Sequence, residues 1–235
     1  MSQHTEERFK AFLVHVYTAS TVILLLLATQ LLLNNAFRLA LFVLLLAVVI
    51  DATDGTLARR FRVKEVLPEF DGRRLDDIID YISFTFLPIV FMLKAEMLLA
   101  PAVLFGSLPL LASAFGFARV DVKLDDHGFF VGFPSYWNIL LAYFYLLAWP
   151  AWVNTLVVIV CTILVFIPTR YIYITRFSRL KWLNYGGSWL CGLALLGALL
   201  TSGTTRLVLT LFSLIYPIFY TVYSLLLDWR ARRTG

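Results

Sequence analysis

Four aspartates in the first third of the chain, Asp51, Asp54, Asp76 and Asp80, are spaced for shared chemistry. Asp54 follows Asp51 by three residues and Asp80 follows Asp76 by four, so on helices each pair occupies one face, a turn apart. Each pair sits at the end of a strongly apolar segment, where an unpartnered carboxylate is costly. Carboxylates gathered in a partly dry site repel one another, or take up protons, unless a cation lies among them. Hard divalent cations prefer oxygen ligands of this kind, and two such ions bridging a phosphate group is a natural arrangement. The plainer reading is an interfacial charge network with Arg59, Arg60, Arg73 and Arg74, and Asp71 and Asp77 fit it well. That network does not explain why all four spaced aspartates fall on helical repeats. Nor does it explain Gly55, Ala58 and Gly72 on the same face, where small side chains let a bulky ligand approach the backbone.

The elements that carry these residues are membrane helices. The chain has 235 residues, 60% hydrophobic and 15% charged, with a mean hydropathy of +0.82. A soluble domain of this size does not carry so much apolar surface, and long apolar runs favour helices over a barrel. The expectation is an all-α integral membrane protein with about eight transmembrane helices, a single membrane domain over 1–235. The expected spans are Phe12–Leu33, Ala36–Leu57, Leu75–Leu93, Met97–Phe117, Tyr136–Trp149, Val153–Ile167, Tyr185–Leu200 and Leu207–Leu227. A polar segment (1–11) precedes them and a basic tail (228–235) follows. With this arrangement 17 of the 20 Lys and Arg residues fall on one side. The positive-inside rule then puts both termini and the 51–80 stretch in the cytoplasm. The net charge of +5 fits loops beside anionic headgroups, with Arg170, Arg176, Arg179 and Lys181 as contacts, and nucleic acid is not an expected partner. Cys161 and Cys191 lie in apolar runs without metal-ligand spacing and read as free thiols.

The pattern Asp51-x-x-Asp54-Gly55-x-x-Ala58-Arg59, followed by Gly72-x-x-x-Asp76-x-x-x-Asp80, resembles the signature of the CDP-alcohol phosphatidyltransferase family. The match covers about 30 residues directly. The stretch from Arg60 to Asp71 is longer than the family's usual connection. It resembles the family's bacterial phosphatidylcholine synthase branch, as do the length, the number of expected spans and the FVGFPSYWN segment at 130–138.

The resemblance implies transfer of a phosphatidyl group from CDP-diacylglycerol to choline in the bacterial inner membrane, with release of CMP. It implies metal ligation by Asp51, Asp54, Asp76 and Asp80, with Mg2+ or Mn2+ as a pair of ions, and Asp80 as general base. Asp54, Gly55, Ala58, Arg59, Gly72 and Asp76 would line the CDP site, and a homodimer is implied. Choline's quaternary ammonium makes no N–H hydrogen bonds and suits aromatic faces. Tyr81, Tyr136 and Trp137, with Asn138, are candidates for it, although Tyr and Trp also belong in any interfacial belt. Arg119 is a candidate for a lipid phosphate or a snorkelling arginine. Two alternatives stay open: another acceptor (serine, glycerol phosphate or inositol phosphate), and a cation transporter, for which intramembrane carboxylates are also a marker.

Overall fold

The computed structural model describes residues 3–119, 123–124, 129–173 and 180–234. The chain is an all-α membrane protein. Four helical stretches, His4–Leu33, Phe37–Arg60, Trp182–Leu200 and Gly203–Arg233, are long and apolar enough to cross a membrane, and three shorter apolar helices accompany them. Large apolar side chains such as Ile23, Leu26, Val103 and Leu193 point outward, as a lipid-facing surface requires. The chain divides into two compact units, Met1–Phe91 and Met92–Gly235.

The first unit opens with α1 (Gln3–Leu33) and α2 (Phe37–Arg60). The turn between them uses Asn35 at φ +57°, a left-handed conformation that asparagine tolerates better than most residues, and Ala36 N–H donates to the Leu31 carbonyl at 2.9 Å. Residues from Gln3 to Ala11, expected as a separate polar segment, are continuous with α1, and Ala11 is fully buried. The reason lies in the connection after α2. It folds as a short helix, α3 (Val63–Val66), whose Val63 and Leu67 pack on Ala11 and Val14. Arg8 ties the same place by donating to the Val66 carbonyl at 3.1 Å and pairing with Glu69. The Glu69 carboxyl is held below its usual value, first by a backbone amide hydrogen bond and then by Arg8.

After this connection, α4 (Gly72–Asp80) leads into a π-helical turn (Tyr81–Phe86) and α5 (Leu87–Lys94). Asp71 caps α4, its Oδ1 accepting from the backbone N–H of Arg73 at 3.1 Å and of Arg74 at 3.2 Å. The wide turn sits just before Pro88. Proline cannot donate to the carbonyl four residues back and its ring crowds that carbonyl, here Phe84's, so the helix opens by one residue.

The second unit contains α6 (Ala102–Ala118), α7 (Trp137–Leu147), α8 (Ala151–Phe166), α9 (Lys181–Leu200), α10 (Gly203–Ser213) and α11 (Ile215–Thr234). The fourth expected span thus starts later than Met97. The eighth is broken at Leu214, where Pro217 leaves the Ser213 carbonyl without its helical donor. The polar segments carry a small antiparallel sheet in the order β1 (Lys123–Leu124), β2 (Phe129–Val131), β3 (Arg170–Ile172), with Phe130 opposite Tyr171. Gly132 follows β2 at φ +87°, and a Cβ there would lie 2.3 Å from the Val165 carbonyl oxygen, so only glycine fits. On the other side of β3, Ser224 and Asp228 of α11 accept from the N–H groups of Ile172 (3.1 Å) and Arg170 (3.2 Å).

The capping of α4 gives a direct check. Asp71→Ala should lower the thermal stability of the detergent-solubilised chain by about 1 kcal/mol, and Asp71→Asn by much less. Equal stability of the alanine variant and the parent in a melting experiment would show that the cap is dispensable.

Candidate functional site

α2 and α4 bring three of the four spaced aspartates together. Asp51, Asp76 and Asp80 each offer a carboxylate oxygen, and these atoms lie within 4.8 Å of one another at half-buried positions. Three carboxylates this close, converging from two helices, match the donor set that a hard divalent cation takes. The site therefore fits the metal expected for it on donor chemistry and spacing.

Asp54 lies outside this cluster. Successive helical residues advance by 100°, so a residue three further on sits about 60° away around the axis. Asp51 uses this offset to face α4 while Asp54 faces α1. Asp54 is 7% exposed, and its Oδ2 accepts a hydrogen bond from the Thr18 hydroxyl at 2.8 Å. One residue earlier on both helices, the Thr53 hydroxyl donates to the Val49 and Ile50 carbonyls at 2.9 Å. Its oxygen is left to accept from Tyr17 at 2.8 Å. These two polar pairs fix the register of α1 on the aspartate-bearing helix.

The small residues of the motif divide by what stands over them. A Cβ at Gly55 would meet only the Arg59 guanidinium, at 3.5 Å, so nothing else in the first unit requires glycine there. Ala58 packs against the Ala11, Val14, Val63 and Leu67 cluster. Gly72 is closed over by His15: a Cβ would lie 2.6 Å from the His15 Cε1. The imidazole also packs against Phe70, ring centroids 4.4 Å apart. Arg59 is exposed at the end of α2 and donates to the Thr56 hydroxyl at 3.1 Å.

Tyr81, the first residue of the π turn, is half-buried and directly follows Asp80. The remaining sequence candidates belong to the second unit. Tyr136 stands before α7 with its ring edge-on to Tyr220 at 6.2 Å. Trp137 is fully buried and its indole N–H donates to Ser113 at 2.8 Å. Asn138 is also buried, and its side-chain carbonyl accepts from the Ile139 N–H at 2.9 Å. Arg119 ends α6, its backbone N–H bonded to the Phe115 carbonyl at 3.1 Å. Of the bases expected to meet headgroups, Arg176 and Arg179 lie outside the described residues.

No protein-family model matches the chain. Curated proteins do. A phosphatidylcholine synthase of Pseudomonas aeruginosa is 40% identical over 182 residues, 74% of this chain and 74% of that protein. One of Borreliella burgdorferi is 37% identical over 174 residues, 73% of each chain. One of Legionella pneumophila is 39% identical over 174 residues, 73% of this chain and 68% of its own. The chain belongs to the phosphatidylcholine synthase family.

Reasoning from the aspartate pattern alone overlooks the α1 contribution. The signal for it is the run of polar residues His15, Tyr17, Thr18, Ser20 and Thr21 inside an otherwise apolar first span. Polar groups persist in such a segment when they have partners, and α2 supplies two of them. The closure of Gly72 can be measured. Gly72→Ala should destabilise the chain by about 1–3 kcal/mol through overpacking. The added change His15→Ala should relieve part of that loss, so the double variant melts higher than additivity predicts. Strict additivity would show that the two positions are not in steric conflict.

Proposed function

We propose that the carboxylate face of α2 and α4 carries out phosphatidyl transfer to choline. The choline hydroxyl oxygen forms a bond to the β-phosphorus of CDP-diacylglycerol. The bond from that phosphorus to the bridging pyrophosphate oxygen breaks, and CMP leaves with the electron pair. The observation that carries this reading is the meeting of Asp51, Asp76 and Asp80 within 4.8 Å in a member of the phosphatidylcholine synthase family.

Asp80 takes the proton of the attacking hydroxyl; it is the last residue of α4 and half-buried, so its charge is partly shielded from solvent. Asp51, Asp76 and Asp80, with Asp54 one turn further along α2, would hold the divalent cations, Mg2+ or Mn2+. When bound, these neutralise pyrophosphate charge and stabilise the departing oxygen. Arg59 adds a guanidinium suited to bidentate contact with a phosphate. Gly55 leaves the α2 backbone open to the nucleotide, which its almost empty Cβ position supports. The ring of Tyr81, next to the base, provides an aromatic face for the quaternary ammonium. The Lys and Arg asymmetry supports a cytoplasmic position for this face and both termini in a bacterial inner membrane.

Purified chain in detergent, supplied with CDP-diacylglycerol, Mn2+ and labelled choline, serine or glycerol phosphate, should label lipid from choline alone and release CMP in step. Label entering from serine and not from choline would replace the acceptor. CMP release independent of any acceptor would remove the transfer altogether. Asp80→Asn should reduce turnover by about 10²–10⁴-fold while CDP-diacylglycerol binding stays measurable. Near-normal turnover would assign the proton to another group.

A further inference from the structure

We infer that Thr18 is a positioning residue for the cation site, acting through Asp54. The inference rests on the metal-dependent reading above and extends it to a helix that carries none of the motif. Asp54 is the remaining spaced carboxylate, one helical turn beyond Asp51 on the same helix. Its two oxygens are not equivalent. Oδ2 is engaged by the Thr18 hydroxyl at 2.8 Å, and both residues are buried, Thr18 at 8% and Asp54 at 7% exposure.

That bond constrains the carboxylate plane. The Gly55 backbone N–H acts on the same carboxylate, so two donors set its orientation, and the lone pairs they leave are presented in one direction. Thr18 itself is held in place. The neighbouring Tyr17 to Thr53 pair, at 2.8 Å, locks the same stretch of α1 against the same stretch of α2. Thr53 cannot shift either, because its hydroxyl is spent on the Val49 and Ile50 carbonyls. Groups that orient a metal ligand in this way raise affinity for the metal without touching it.

The test is direct Mn2+ binding to the full chain in lipid nanodiscs, read from the paramagnetic resonance signal of the free ion. Thr18→Val keeps the shape and removes the hydroxyl; Thr18→Ser keeps the hydroxyl and removes the methyl group. The valine variant should bind Mn2+ about tenfold more weakly, and the serine variant should stay within about twofold of the parent. Thermal unfolding in the presence of chelator separates a folded, weakened site from a damaged fold; if the valine variant does not fold, Thr18→Ala takes its place with the same expectation. Equal Mn2+ affinity in parent and valine variant would overturn the role of Thr18 and leave the metal-dependent reading standing. Equal weakening by serine and valine would show that the site answers to any change at position 18 rather than to loss of the hydroxyl, and would also overturn it. A parent chain that binds no Mn2+ would overturn both.

Discussion

Three carboxylates held within 4.8 Å impose the constraint around which the first unit is built. Two like charges at such a distance repel by about 3–4 kcal/mol at an effective dielectric of about 20. Two helices carrying them would part if nothing else joined them. The surrounding structure supplies the joints. Asp71 caps α4 and fixes where it begins. α3 and the Arg8 contacts tie the connection between α2 and α4 onto the start of α1. Thr18 and Tyr17 fasten α1 to α2 at the level of the aspartates. A cation placed between the carboxylates would turn the repulsion into attraction.

α1 is accordingly more than a membrane span. It carries the apolar wall on which α3 folds, the imidazole that fills the space over Gly72, and the hydroxyls that meet Thr53 and Asp54. Each of these contacts falls in its first half, between Arg8 and Thr18. Beyond that, outward residues such as Ile23 and Leu26 face lipid. One continuous helix thus works as a scaffold at one end and as an anchor at the other.

Much of this was legible from residue types. The aspartate spacings placed the site on helix faces, and the gap between the first two expected spans coincides with the turn at Asn34 and Asn35. Pro217 carried a break that the apolar run from Leu207 to Leu227 concealed. Other features depend on tertiary neighbours that no local pattern names. The 60° offset between Asp51 and Asp54 is too small to show in a helical repeat, yet it decides which helix each one meets. Gly72 looked like room for a ligand, and the structure fills that room with His15 from 57 residues away. Trp137, attractive as an aromatic face, is an interior residue because Ser113 offers its indole a partner. The small sheet was missed because strands of two or three residues leave no periodicity to read.

The π-helical turn from Tyr81 to Phe86 bears on how the third expected span is divided. One extra residue in a turn rotates everything beyond it by about 100° relative to a regular helix. The face that carries Asp76 and Asp80 therefore does not continue as the same face of α5. The aspartate-bearing half can answer to the geometry of charge while the apolar half, with Ile89 and Phe91 buried, answers to packing. A chain element that must satisfy two unrelated neighbours has, in this turn, the equivalent of a phase shift between them.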